Sequence, residues 1–176
     1  MRHPFATEAW FPYPIESVFA FFSDPENLPR IMPAWQKAVI ESAKLMRPPD
    51  MEGTPCEVAG KGSELLITFR MLPFMPLRKS WRALISEFEY LSHFCDVQMS
   101  GPFKYWHHCH HFRSEQRGDV MGTIVRDELE YELPLTWLAD AGDTVVRTNI
   151  AGVFRYRQKE TERLLPEWLR AHGVQL

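Results

Sequence analysis

The segment TIVRDELEYEL, Thr123–Leu133, alternates between two kinds of side chain along its whole length. Successive side chains of a strand point to opposite faces of a sheet. One face carries four uncharged side chains and a single aspartate, namely Thr123, Val125, Asp127, Leu129 and Tyr131. The other face carries an arginine and three glutamates, which are too charged to be buried. The segment therefore predicts a strand of an antiparallel sheet with one covered face and one solvent-facing face.

The spacing of the apolar residues changes immediately after this strand. From Leu135 to about Leu169 they recur at steps of three and four, the spacing of one helix face. The residues near that stripe are Val146, Ile150, Phe154, Arg157, Leu164 and Trp168. We predict one long C-terminal helix, amphipathic over at least 145–165, with Gly142 and Pro166 breaking or bending its ends.

The chain before Thr123 is read as one strand, two short helices and a run of strands. His3–Phe11 alternates as a strand does, Pro14 stands at the start of a helix that runs to about Ser23, and Asn27–Ile31 forms a second helical turn. Five further strands are predicted at Trp35–Leu45, Glu64–Met71, Arg78–Tyr90, His93–Ser100 and Lys104–Glu115. A run of strands followed by a helix predicts an α+β fold, with the helix covering one face of a sheet of about seven strands.

Composition excludes several classes of protein. The 176 residues carry 20 Lys and Arg against 23 Asp and Glu, a net charge of −3, so no basic face for nucleic acid is expected. No run of 18 apolar residues predicts a membrane span, and the first residues lack an apolar signal segment, so we expect a cytoplasmic protein. The three cysteines form no CxxC pair, and we expect them to be reduced thiols.

Four stretches of the sequence resemble one superfamily. They are FPYPIESVFAFFSDPENL at 11–28, GPFKYW at 101–106 before a strand with alternating histidines, VRDELEYELP at 125–134 and FRYR at 154–157. Together with the element order, they resemble the START-like or SRPBCC superfamily of polyketide cyclase type, and in particular a bacterial subgroup of it. The resemblance covers nearly the whole chain. It implies a single domain over 1–176 with the helix-grip fold, a curved antiparallel sheet wrapped around the long C-terminal helix and enclosing a cavity.

Strand alternation and the resemblance together assign the side chains that face the cavity. Alternation alone would turn Asp96 and Gln98 to solvent, whereas the resemblance implies that they face inward. The expected ligand-binding set is Trp81, Phe94, Asp96, Gln98, Trp106, His108, His110, Phe112, Asp127, Tyr131 and Phe154. Because a buried carboxylate is costly unless paired, a histidine opposite an aspartate is the least costly pairing available to these inward groups. The resemblance also implies that the apolar loop Leu72–Leu77 and the segment Met32–Trp35 cover the cavity mouth, with packing against the helix as the equal alternative.

The resemblance implies binding of a small hydrophobic or amphipathic molecule, and three other interpretations stay open. The inward polar residues could form a structural network that binds nothing. The chain could be a cyclase or dehydratase on a polyketide-like or aromatic substrate, with His108 or His110 as base and Asp127 or Asp96 orienting it. It could also be an interaction module like the superfamily's co-chaperones. A homodimer through the exposed sheet face, with Tyr105 and His107, is a further expectation.

The histidine-rich run Trp106–Phe112, WHHCHHF, raises the question of a metal. Residues at i and i+2 of a strand lie about 7 Å apart, so His108 and His110 share a metal only with a third ligand such as Asp96 or Asp127. The outward residues His107, Cys109 and His111 have no evident third ligand in the sequence. We therefore expect neither a metal nor a cofactor.

Overall fold

The computed structural model describes residues 1–71, 76–134 and 139–173. Seven strands and three α-helices follow one another in the order β1 His3–Phe11, α1 Ile15–Ser23, α2 Asn27–Ile31, β2 Val39–Lys44, β3 Glu64–Arg70, β4 Arg78–Glu89, β5 His93–Ser100, β6 Tyr105–Arg117, β7 Val120–Glu132 and α3 Ala139–Ala171. Short 3₁₀ turns lie at Ala34–Gln36 and Pro49–Met51. Among the described helices, none has the length and apolar composition needed to cross a membrane.

All seven strands form one curved antiparallel sheet in the order β1-β7-β6-β5-β4-β3-β2. The first strand pairs with the last, with Phe11 opposite Thr123, so β1 closes one side of the sheet beside the strand that leads to α3. Ile150 and Phe154 of α3 pack with Leu129 and Tyr131 of β7. This is the predicted α+β helix-grip architecture, in which the sheet wraps around the C-terminal helix.

A cluster of aromatic rings joins α1 to the inner face of the sheet. Phe19 is fully buried and contacts Phe112 with ring centroids 4.8 Å apart and Phe94 at 6.0 Å, both in edge-to-face geometry. Trp168 from the end of α3 meets Phe21 at 5.7 Å. These contacts fix both α1 and the last turns of α3 against one end of the sheet, because rings of this size bury large areas and pack with defined geometry.

The long helix is continuous where the sequence suggested a break. It runs through Gly142 and continues for five residues beyond Pro166. Proline removes one backbone hydrogen bond of a helix, which is a cost of a few kcal/mol. The following turn is nevertheless retained because Trp168 and Leu169 are buried against the sheet and α1. Burial therefore outweighs the local preference for a break.

Two strand boundaries differ from the sequence prediction. The predicted strand from Trp35 begins only at Val39, because a 3₁₀ turn follows Pro33 and Lys37 takes a positive φ of 47°, which interrupts extended backbone. The β6–β7 pair extends to Arg117 opposite Val120, a two-residue hairpin that Gly118 permits at φ 58°. The loop expected at Leu72–Leu77 lies, for residues 72–75, outside the described residues.

The cysteine prediction is wrong for two of the three residues. Cys95 of β5 and Cys109 of β6 stand directly opposite each other in the register and form a disulfide. Both are buried, although they lie on the outer face of the sheet. Sequence spacing gave no sign of the pair, since only strand register brings the two residues together. Cys56 is a free, buried thiol, and burial raises its pKa to about 12.

Candidate functional site

A cavity of about 190 Å³ lies between the inner face of the sheet, the short helices and α3. The sheet contributes alternate residues of β3 and β4 to its wall, because side chains two apart on a strand point the same way. The apolar part of the wall includes Leu65, Ile67, Phe69, Trp81, Ala83, Ile85 and Ile150. Met32 of the predicted covering segment also lines it. Polar groups converge at a few points of an otherwise apolar surface, as in many small-molecule sites.

Seven of the eleven residues expected at the site line this cavity, namely Trp81, Phe94, Asp96, Trp106, His108, His110 and Phe154. The other four lie elsewhere. Gln98 donates to and accepts from the backbone of Phe103, at 2.6 and 3.2 Å, and so braces the β5–β6 loop. Phe112 belongs to the aromatic cluster around Phe19, and Tyr131 is fully buried beneath Trp106 and Phe154. These placements correct the expectation from alternation, which gives the face but not the depth.

Asp127 is the fourth residue that does not line the cavity, and it supports the two histidines that do. His108 lies between two carboxylates, with Nδ1 3.2 Å from Asp96 Oδ2 and Nε2 3.0 Å from Asp127 Oδ1. His110 Nδ1 lies 2.7 Å from the same Asp127 oxygen, without the alignment of a hydrogen bond. Strand register produces the arrangement, since Asp96 stands opposite His108 and Asp127 opposite His110. The predicted pairing of inward histidines with inward aspartates is confirmed.

The surroundings drive the pKa values of the two histidines apart. Burial alone would lower the pKa of His108, but its hydrogen bonds to Asp127 and Asp96 outweigh burial and raise it. Burial, together with the neighbouring His108 charge, lowers the pKa of His110 to about 4. Burial would also raise the pKa of Asp127, yet the two histidines hold it below its usual value. These shifts favour the protonated form of His108, the neutral form of His110 and the ionised form of Asp127.

Arg157 is a cavity residue that the sequence reasoning placed on the helix stripe but not at the site. It lines the cavity from α3, and its guanidinium carbon lies 5.1 Å from the centre of the Phe154 ring. No carboxylate forms an ion pair with it among the described residues. A charged residue within an apolar helix stripe was the available signal, because such a residue needs a reason to face inward.

Further polar groups at the wall come from the segment around α2. Asp24 lines the cavity and accepts a hydrogen bond from the Trp168 indole at 3.0 Å, which joins the start of the chain to the end of α3. Burial raises the pKa of Asp24. Asn27 and Gln36 also line the cavity. No periodic pattern in the sequence marks these three residues, so the sequence reasoning missed them.

Besides His110 Nδ1, three buried polar atoms beside the cavity have no hydrogen-bond partner within the described part of the chain. They are the indole nitrogens of Trp81 and Trp106 and the amide oxygen of Gln36, and all three residues line the cavity. Most buried polar atoms in proteins are hydrogen-bonded, either to protein or to water or ligand. The two indoles are donors only, so the groups that satisfy them must be acceptors.

Metal-ligand geometry occurs at the inner histidines as well. One ligand atom from each of His108, His110 and Asp127 lies within 4.8 Å of the others, so Asp127 is the third ligand that the sequence argument required.

The outer face of the sheet is where the sequence predicted a homodimer. On this face, His107 is 31% exposed and Tyr105 lies 3.8 Å beneath the guanidinium of Arg2. The homodimer expected through this face stays a prediction.

Comparison with known proteins places the chain in a family. A family model described as polyketide cyclase / dehydrase and lipid transport matches residues 11–154. A search of curated proteins found no match.

Solved structures of similar fold come from bacteria and plants. A START superfamily protein from Mycobacterium smegmatis is 14% identical, with a TM-score of 0.64 over 94% of this chain and 99% of that one. The ginseng major latex-like protein 151 from Panax ginseng is 14% identical, with a TM-score of 0.62 over 92% and 96%. Norcoclaurine synthase from Thalictrum flavum is 11% identical, with a TM-score of 0.60 over 95% and 88%. The fold is therefore shared at low identity, and with the family match over most of its length, the chain belongs to the polyketide cyclase / dehydrase and lipid transport family of the START-like superfamily.

Proposed function

We propose that this protein binds a compact aromatic molecule with one electronegative end in the cavity between the sheet and α3. The observation that carries the proposal is the wall itself, in which apolar side chains surround Arg157, the indole donors and the Asp96–His108 pair. Apolar surface supplies the affinity in such sites, and a few placed polar groups fix the orientation. This is the small hydrophobic or amphipathic ligand that the sequence implied, narrowed by the geometry.

The volume limits the size of the ligand. A volume of about 190 Å³ is smaller than the roughly 300–1,000 Å³ of drug-sized sites. An apolar cavity of about 150 Å³ is known to accept benzene. One or two fused rings therefore suit the cavity, whereas a full-length acyl chain or a sterol exceeds it.

The charges favour an acidic or electron-rich end on the ligand. Arg157 presents a half-buried guanidinium, and the Trp81 and Trp106 indoles offer N–H groups without acceptors among the described residues. A carboxylate, phenolate or ketone oxygen satisfies donors of this kind. The ligand class that follows is an aromatic acid or aryl ketone.

Fluorescence titration with 2-naphthoate, a two-ring aromatic acid, tests the proposal. Ile150→Trp places an indole in the cavity from α3, and Val145→Trp places one on the same helix at a position that is 60% exposed. We expect 2-naphthoate to bind the wild type and Val145→Trp alike, and Ile150→Trp at least about tenfold more weakly. Equal binding by both tryptophan variants would mean that the probe sits outside the cavity.

A neutral analogue separates the role of Arg157 from that of the apolar wall. Naphthalene-2-methanol has the same rings without the charge. We expect the wild type to prefer 2-naphthoate to the alcohol by about tenfold, since hydrogen bonds to charged groups contribute about 1.5–3 kcal/mol. Arg157→Met should remove the preference while leaving the affinity for the alcohol unchanged. A preference that survives in Arg157→Met contradicts the assigned orientation.

A second candidate function, a cyclase or dehydratase, is favoured by the opposed pKa values of His108 and His110. Paired groups whose pKa values are pushed apart act as acid and base in many enzymes. Neutral His110 would take a proton from a carbon next to a ketone, and the guanidinium of Arg157, which lines the same cavity, would stabilise the resulting enolate. The interaction-module interpretation has no observation of its own and stays a prediction.

Deuterium exchange tests this second candidate without knowledge of the natural substrate. The probe is 2-acetylnaphthalene in D₂O, whose methyl protons exchange when a base removes one and solvent returns a deuteron. If the protein is such an enzyme, NMR will show exchange above the buffer rate that His110→Phe abolishes while still binding the probe. Exchange at the buffer rate in the wild type leaves binding as the function.

A further inference from the structure

The outer face of the sheet carries a second group of metal-ligating side chains, separate from the cavity. We call it the thiol cluster and define it as Cys95, Cys109, His107 and Glu87. It spans three strands, with Cys109 and His107 two residues apart on β6, Cys95 opposite Cys109 on β5, and Glu87 opposite Cys95 on β4. A register shift of β4 between Ile85 and Glu87 sets Ile85 at the cavity wall and Glu87 in this outer row.

His107 Nε2 lies close to zinc-site separations from Cys109 and Glu87, whereas the two sulfurs are bonded to each other and separate only on reduction. One ligand atom from each of Cys95, His107 and Cys109 lies within 4.8 Å of the others. His107 Nε2 is 3.7 Å from Cys109 Sγ and 3.9 Å from Glu87 Oε1. Tetrahedral zinc with bonds of about 2.0–2.3 Å separates its ligand atoms by roughly 3.3–3.8 Å. The sequence analysis found no third ligand for the His107–Cys109 pair, and Cys95 supplies it.

Burial and donor chemistry agree with this geometry. Both sulfur atoms belong to buried residues, whereas His107 is 31% and Glu87 54% exposed, so the cluster is closed beneath and open above to an ion from solvent. Two thiolates, an imidazole and a carboxylate form a donor set that binds zinc in preference to hard cations such as Mg²⁺ and Ca²⁺. The sulfurs bind a metal only as thiolates. When the two cysteines form a disulfide, neither sulfur carries the negative charge of a thiolate.

We propose that the thiol cluster binds one zinc ion when Cys95 and Cys109 are reduced, and that the disulfide between them expels it. Binding joins the two thiolates, His107 and Glu87 to the ion and releases two protons from the two thiols. When the cluster is oxidised, the two thiolates react with a low-molecular-weight disulfide, RSSR. That gives the Cys95–Cys109 disulfide and two RS⁻, and the zinc leaves because two of its four ligands are lost. The metal site and the disulfide are thus alternative states of one cluster.

Metal titration of the untagged full-length chain in two redox states tests this inference. One sample is reduced with a phosphine and desalted without oxygen, and the other is fully oxidised. Zinc is titrated against a chromophoric chelator, and Co²⁺ serves as the spectroscopic probe. We expect the reduced protein to bind one ion with thiolate-to-cobalt charge-transfer absorption. The oxidised protein should lack that absorption and bind zinc at least about 100-fold more weakly, since even outer-shell losses cost 10–100-fold.

Matched variants distinguish the thiol cluster from the other possible ligands. His107→Ala should lose zinc affinity, whereas His111→Ala, a neighbouring outer-face imidazole, should keep it. Cys95→Ser should lose the charge-transfer absorption, whereas Cys56→Ala should keep it. His110→Phe disables the inner histidine group and should leave the absorption unchanged. The inference is overturned if reduced wild type shows no thiolate absorption, or if His107→Ala binds zinc as tightly as His111→Ala.

Discussion

At the scale of single residues, His108 explains how the buried Asp127 and the partly buried Asp96 come to lie close together. Carboxylates without a partner are expensive in a protein interior, and a cation between them repays part of that cost. His108 lies between Asp96 and Asp127, and its hydrogen bonds to them raise its pKa and favour the cation. Burial and the positive charge of His108 oppose a second positive charge on His110, so its pKa is lowered and the side chain stays neutral.

Removing one member of this network should be costly. Asp127→Asn preserves the shape of the side chain but leaves His108 with one carboxylate, and we expect a loss of about 3 kcal/mol or more in the free energy of unfolding. Glu128→Gln, the next residue of β7 and exposed, should change it by no more than about 0.5 kcal/mol. Urea unfolding of both variants measures the difference. Similar values for the two would mean that the network contributes no stability.

The titration of His110 gives stability a defined pH dependence. The folded pKa of about 4 lies below the unfolded value near 6.5, so as pH falls through this window the unfolded chain binds the proton first and stability declines. The decline is at most about 3 kcal/mol. The raised pKa of His108 acts in the opposite sense, because its contribution is complete below pH 6.5 and is lost as pH rises through the folded value. In His110→Phe, the free energy of unfolding should therefore depend less on pH below 6.5, while its pH dependence above 6.5 should be unchanged.

Imidazole NMR measures this directly. His110 should titrate near pH 4 and His108 above 6.5, while unfolding experiments at pH 5 and 7 report the stability difference in wild type and His110→Phe. A His110 resonance that titrates near 6.5 contradicts the account of the buried pair.

At the scale of elements, the β5–β6 pair is held by its backbone ladder and by the Cys95–Cys109 bond. The bond joins residues 14 apart in sequence, so its loss frees only a short loop of the unfolded chain. Chain-entropy estimates give about 3 kcal/mol for a loop of this size. The double variant Cys95→Ser/Cys109→Ser should lose up to that amount in urea unfolding and remain folded, because the aromatic core around Phe19 is unchanged. A double variant that is unfolded in buffer would show that the pair is essential to the sheet.

Element faces could be predicted from the sequence, and element pairing could not. Alternation placed His108 and His110 inward and Cys109 outward, as the structure has them, because a strand gives each side chain only two directions. Register is set by the whole sheet, so the pairing of Cys109 with Cys95 could not be predicted from the sequence. The depth of a side chain also depends on what covers it, which is why Tyr131 and Phe112 are core residues and Arg157 lines the cavity.

At the scale of the whole molecule, the cavity arises because two rigid layers do not fill the space between them. The aromatic cluster around Phe19 and Trp168 fixes the C-terminal end of α3, and the cluster of Phe154 with Trp106 and Tyr131 fixes its middle. The fold could be predicted because period and element order specify it and because four sequence stretches resemble the superfamily. The size of the cavity could not, since it depends on how far α2 and α3 stand from β3 and β4.

The central claim is that this cavity, and not the outer surface of the sheet, takes the ligand. Intermolecular NOEs between 2-naphthoate and methyl-labelled protein test it most directly. We predict contacts from the naphthalene protons to the methyl groups of Ile67, Ile85 and Ile150, which line the cavity. Contacts confined to exposed methyl groups such as those of Val39, Val120 and Met121 would contradict the account.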